Sequence, residues 1–151
     1  MAFVFRRHQK QFLARLDLAA LEAAIREAER ATTGEVRVAV LPRVRGGLEK
    51  AVVHAADKLG MTHTAGRNGV LILVDPAHRN FLVWGDTAIH EKVGEAFWKE
   101  VAAAIEERFR AGDFTGGLVR GIEAAERALA AHFPPGPGGN PNELPDRVDV
   151  S

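Results

Sequence analysis

Apolar positions along this chain change period several times, and each change marks an element. From Asp17 the pattern is helical, with Leu18, Leu21, Ile25 and Ala28 forming one stripe. Asp17 is suited to accept a hydrogen bond from the first turn, and Leu16 and Leu21 have the spacing of a hydrophobic staple. Gly34 ends that segment. Upstream, Phe3, Phe12 and Leu13 predict a helical arm over residues 2–14 that docks on the core. Glu35-Val-Arg-Val-Ala-Val-Leu41 then alternates, with Val36, Val38 and Val40 on one face, which predicts a strand stopped by Pro42. Gly46-Gly47 opens a second helix whose Leu48, Val52, Ala55 and Leu59 share a face and whose terminator is Gly60.

Gly69-Val-Leu-Ile-Leu-Val-Asp75 is almost wholly apolar, the mark of a central strand covered on both faces. Asp75-Pro-Ala-His-Arg79 is a short turn into Asn80-Phe-Leu-Val-Trp-Gly85, so the two runs predict a β-hairpin. A long helix follows from Ile89 to Ala111, with Ile89, Val93, Phe97, Val101 and Ile105 in one stripe. Gly112 stops it, and a last helix is expected from Thr115 to His132 with Leu118, Ile122, Ala125 and Leu129 inward. Phe133-Pro-Pro-Gly-Pro-Gly-Gly-Asn-Pro141 has linker composition.

The element order after the arm is α-β-α-β-β-α-α. A helical crossover makes the first two strands parallel, and both sheet faces need helices. The expected fold is an α/β, three-layer α/β/α sandwich on a small mixed sheet with parallel first two strands and a β-hairpin. Residues 1–16 form the arm, 17–133 the domain, and 134–151 the Pro/Gly linker and tail.

That topology brings chemistry together. Glu35 and Asn68 stand where two parallel strands begin, and the antiparallel third strand delivers Gly85-Asp86 to the same edge. Two carboxylates, an amide oxygen and nearby carbonyls are the hard ligands that Ca2+ or Mg2+ takes. The same residues have plain structural uses: Asp86 as a helix cap, Glu35 as a partner for Arg67, Asn68 and the glycines as turn residues. Asp75 falls in the hairpin turn at the opposite edge, where Asp-Pro is ordinary turn chemistry. Asp113-Phe-Thr-Gly-Gly117 opens a helix with free N–H groups and is read as a boundary.

Composition narrows the picture. The 151 residues suit one domain, and 20 basic residues balance 20 acidic ones, so no global charge recruits nucleic acid or anionic lipid. With no cysteine, thiolate metal sites and thiol nucleophiles are excluded. The six histidines lack HExxH-type spacing, and no phosphate-binding loop or nucleophile elbow is present. Covalent catalysis would need Asp, Thr or His, since tyrosine is absent and Ser151 is the lone serine. The N-terminal apolar run is too short for a secretory signal and no run spans a bilayer, so a soluble, cytoplasmic protein is expected.

Thr33-Gly-Glu-Val-Arg-Val38, Arg67-Asn-Gly-Val-Leu-Ile72, Gly85-Asp86, Phe97-Trp98, Phe109-Arg-Ala-Gly-Asp113, Gly117-Leu-Val-Arg-Gly-Ile122 and Asn142-Glu-Leu-Pro-Asp146, in that order and spacing, resemble the TPM domain. That family is named for a thylakoid lumen protein, a photosystem II repair protein and a worm receptor modulator. The match is to its short, soluble bacterial type, over residues 17–146. The resemblance implies an α/β/α sandwich with divalent-cation binding in loops at one sheet edge, and carries a metal role onto Glu35, Asn68 and Asp86. Phosphatase activity has been proposed for plant relatives. The leading expectation is a binding or regulatory module that takes Ca2+ or Mg2+ and recognises an unknown protein or small ligand, without nucleic acid. One alternative is a metal-assisted phosphatase, with Asp86 holding the ion and Arg67 taking the phosphate. The other is a metal-free interaction protein that works through the Asn142–Asp146 tail or the helical arm.

Overall fold

The computed structural model describes residues 2–42, 44, 46–136 and 148–150, with side chains from residue 8 onward. The expected Asn142–Asp146 surface lies outside them. A three-stranded sheet in the order β1-β2-β3 forms the middle layer, from β1 (Val36–Val40), β2 (Val70–Asp75) and β3 (Asn80–Gly85). β1 pairs parallel to β2 and β3 antiparallel to it, as the crossover and hairpin require.

Helices cover both faces. Helices α2 (Leu18–Arg30), α4 (Thr87–Arg110) and α5 (Phe114–His132) pack against Val36, Val38, Val40, Val70, Ile72 and Val74. Helix α3 (Leu48–Lys58) covers the other face, where Val52, Ala55 and Ala56 meet Ala39, Leu71 and Leu73. The arm is helix α1 (Ala2–Ala14), docked through buried Phe12 and through Gln9, whose Nε2 donates to the Val40 carbonyl at 2.9 Å.

Three aspartates start three helices, each by a side-chain oxygen accepting from the first turn: Asp17 from the Ala20 N–H, Asp86 from the Thr87 N–H and Asp113 from the Gly116 N–H. In α2 the stripe narrows, because Leu21, Ile25 and Ala28 are fully buried while Leu18 is 38% exposed at the helix mouth. β1 departs from the alternation its sequence suggests. All five of its residues are buried, Arg37 included, because α3 closes the second face. α4 starts at Thr87 because Asp86 caps it, and it is interrupted at Gly94 (φ 73°, ψ 175°), a backbone that L side chains avoid. The single stripe expected from Ile89 to Ile105 is therefore two stripes joined at a kink.

The outer edge of β1 is covered by the chain's own end. Val40 N–H donates to Asp149 O at 2.9 Å, Asp149 N–H donates to Val38 O at 2.8 Å, and Val148 is buried in the main core. Among the described residues no helix is long and apolar enough to cross a membrane.

Half-buried Glu126 on α5 tests the helix packing. Burial first, then the charges of Glu27 and Glu123, hold its pKa above the ordinary carboxylate value. A carboxyl with a raised folded pKa weakens the fold when ionised. That weakening is complete above the raised value and is relieved as pH falls toward the unfolded carboxylate range. Glu126→Gln should raise Tm by about 1–2 °C near pH ~7. The gain should vanish near pH ~3.5, where the wild-type carboxyl is protonated too. Melts of both proteins at the two pH values check this.

Candidate functional site

The sheet register aligns the three segments that the sequence pattern brings together. Val36 sits opposite Val70, and Val70 opposite Gly85, so residues 35, 69 and 86 begin the next row outward. Backbone bonds lock that row: Val70 N–H donates to Glu35 O at 2.8 Å and Asp86 N–H donates to Gly69 O at 2.9 Å. Gly34 permits the tight approach, since a Cβ there would stand 2.8 Å from Leu129 Cδ2 and 2.9 Å from the Asn68 carbonyl oxygen.

All three side chains assigned to the edge are buried: Glu35 at 1% exposure, Asn68 at 2% and Asp86 at 2%. Asn68 Nδ2 donates to Thr33 Oγ1 at 3.2 Å, which leaves its amide oxygen as an acceptor. Asp86 does double duty. Its Oδ1 takes the Thr87 N–H at 2.7 Å to cap α4, and both its oxygens receive the Arg67 guanidinium in a fork, Nε to Oδ2 at 2.7 Å and Nη2 to Oδ1 at 2.9 Å. The hydrogen bond to Asp86, and then the carboxylate's charge, raise the Arg67 pKa. Arg67 holds a left-handed backbone (φ 50°), and its carbonyl accepts from the Ala88 N–H at 2.9 Å.

Arg67 thus pairs with Asp86, where sequence considerations made Glu35 its structural partner. The edge also contains groups that no motif revealed. Glu29, 4% exposed near the end of α2, accepts the Val36 N–H on Oε2 at 3.0 Å. Thr32 Oγ1 donates to the Phe133 carbonyl at 2.5 Å, lies 3.2 Å from the Leu129 carbonyl and accepts the Gly34 N–H at 3.0 Å, tying the loop to the end of α5. The available signal was the Thr32-Thr33 pair before a glycine, a local hydroxyl-to-backbone motif.

The donor set suits a hard divalent cation in kind: carboxylates, an amide oxygen and backbone carbonyls. In number it is sparse. Among the described residues no three His, Asp or Glu side chains gather in a way that could hold an ion. An ion here needs Asn68, carbonyl or water oxygens to complete its shell, and it competes with Arg67 for Asp86. At the other end of the sheet the hairpin turn holds an arrangement not anticipated from sequence, with Asp75 Oδ2 2.6 Å from His78 Nδ1. Asp113 caps α5, so the boundary reading of that segment holds.

A mixed three-stranded sheet between helical layers, with a polar loop row at one end, defines a small α/β/α sandwich domain. The sequence profile of the TPM domain matches residues 7–128, and the chain belongs to that family. Among solved structures it resembles the BA42 protein of the psychrophilic bacterium Bizionia argentinensis, determined by NMR, at 35% identity and a TM-score of 0.82 over 89% of this chain and 92% of that one. The N-terminal domain of a P. gingivalis protein, also an NMR structure, shares the fold at a TM-score of 0.61 and 20% identity, over 74% of this chain and 72% of that one. No curated protein matches the chain.

Gly34→Ala tests the tightness of the edge. Overpacking against Leu129 and the Asn68 carbonyl should cost about 1–3 kcal/mol in chemical denaturation. Amide shifts should spread through residues 33–36 and 67–70 while the hairpin turn at 75–79 stays unchanged.

Proposed function

We propose that this TPM domain is a binding module whose loop edge takes a divalent cation, Ca2+ or Mg2+, through oxygens of Glu35, Asn68 and Asp86. Through that ion it engages a protein or small ligand. The observation that carries this reading is the row itself. Three oxygen-bearing side chains from distant segments are each buried at the same end of the sheet, where polar groups are costly unless they are matched by partners or charge.

Arg67 sets the terms of binding. A guanidinium and a divalent cation are alternative positive partners for the same Asp86 oxygens, and the guanidinium holds them in the fork described above. Cation entry therefore releases Arg67, which is 46% exposed in the fork, toward solvent beside the ion. There it offers a second positive group to an anionic partner. The phosphatase alternative asks Arg67 in addition to hold phosphate, with Nε and Nη2 engaged by Asp86. The binding-module reading asks only that Arg67 yield Asp86 to the ion.

Thermal melts of chelator-treated protein with and without millimolar Ca2+ or Mg2+ test the reading. At tenfold saturation the ion adds about 1.4 kcal/mol, a Tm rise of roughly 3–5 °C. Asp86→Asn keeps a capping side chain but should lose the rise. Arg67→Ala should reach it at lower cation concentration, because the competitor is gone. Unchanged melting in all three proteins would leave the row a set of caps and turn residues and end the proposal.

A further inference from the structure

Away from the loop edge, at the hairpin-turn end of the sheet, a groove of about 940 Å3 runs between α1, the hairpin and α4. That volume falls in the range of small-molecule sites. Its floor is aromatic and braced. Phe109 lies 5.3 Å from Phe81, 5.4 Å from Phe114 and 6.2 Å from Phe12, ring centre to ring centre. Phe81, Trp98 and Phe109 are only half-buried, so they keep apolar surface open beside the groove.

The charge around this floor is uneven. Arg15, Arg79, Lys99 and Arg110 line the groove against two carboxylates, Asp75 and Glu106. Arg110 is taken by Glu106 at 2.7 Å, and Arg15 stacks on Phe114 at 4.5 Å. Exposed Arg79 and Lys99 have no carboxylate partner among the described residues. Neither carboxylate offsets them: Glu106 is held by Arg110, and Asp75 is only 2% exposed, with Oδ2 2.6 Å from His78 Nδ1 and Oδ1 closed off from the groove.

We propose that this groove binds a small amphipathic organic anion. Its apolar body lies on Phe81, Trp98 and Phe109, and its anionic group meets Arg79 and Lys99. The aromatic floor accepts either a ring system or an alkyl chain. The polar demand is the same in both cases: one negative end.

Two probes separate the sources. 8-Anilinonaphthalene-1-sulfonate offers rings and a sulfonate; dodecanoate offers a chain and a carboxylate. Each is titrated into the full-length protein by two-dimensional amide NMR. The Trp98 indole N–H, which donates to His90 at 3.0 Å, reports on the groove. Trp84 packs with the α3 face and serves as the internal control. At least one probe should bind with Kd below about 1 mM. It should shift Trp98, Phe81 and Arg79 and leave Trp84 still. The double variant Arg79→Ala/Lys99→Ala, altered only at exposed positions, should weaken binding at least about tenfold. Absence of shifts with both probes, shifts centred on Trp84, or affinity unchanged in the double variant would overturn the proposal.

Discussion

The pairing of β2 with its two neighbours is the constraint on which the rest of this structure depends. β2 is buried on both faces along its whole length, so its register against β1 and β3 is fixed by the two apolar layers it must fill. A slip by one residue would exchange Val70, Ile72 and Val74 with Leu71 and Leu73 and send each set to the wrong face. The same register aligns residues 35, 69 and 86 at one end and pairs Asp75 with Asn80 at the other. The polar rows at both ends are thus consequences of how the apolar middle packs.

The two ends resolve their polar groups differently. At the loop end the buried groups are largely partnered within the chain: Asn68 with Thr33, Glu29 with the Val36 N–H, Asp86 with Arg67 and the start of α4. A ligand there would have to exchange one partner for another. At the hairpin end exposed Arg79 and Lys99 have no carboxylate partner among the described residues, so an anion there would add partners without removing any. Under the two proposals, binding would be a competition at the first site and an addition at the second.

Much of this was legible in the sequence, and the parts that were not share a cause. Asp17, Asp86 and Asp113 were readable as helix starts because capping is local, set by a side chain and the turn that follows. That the segments carrying Glu35, Asn68 and Asp86 would meet at one end of the sheet was readable because parallel-then-antiparallel topology leaves one arrangement of strand ends. The partner of Arg67 was not, because once several segments meet at one edge, pattern alone cannot rank Glu35 against Asp86. Leu18 and the buried Glu29 show the same limit on α2, where a stripe fixes the face but not how far the neighbouring helix reaches over it. The break at Gly94 sits inside an unbroken apolar repeat, and glycine in such a repeat does not announce whether it will be helical. The docking of residues 148–150 on β1 depends on where the chain's end finds an unpaired edge, a question of tertiary structure alone.

Helix α4 joins the two ends physically. Asp86 fixes its first turn at the loop row, and Trp98, three turns on, lines the groove. Between them lies the Gly94 break, with the Asp86 cap and the Arg67 fork on one side and the Trp98 to Phe109 stretch packed over β3 on the other. An unbroken helix would carry any displacement of its cap along its axis to the groove, because helices move as rods. The break removes that rigid ladder without freeing either segment: Ile89 before it and Val101 and Ile105 after it are buried in one core, and the Trp98 indole N–H donates to His90 across it. The two ends of the sheet are therefore joined through α4 by side-chain packing and one hydrogen bond, not by continuous helical backbone.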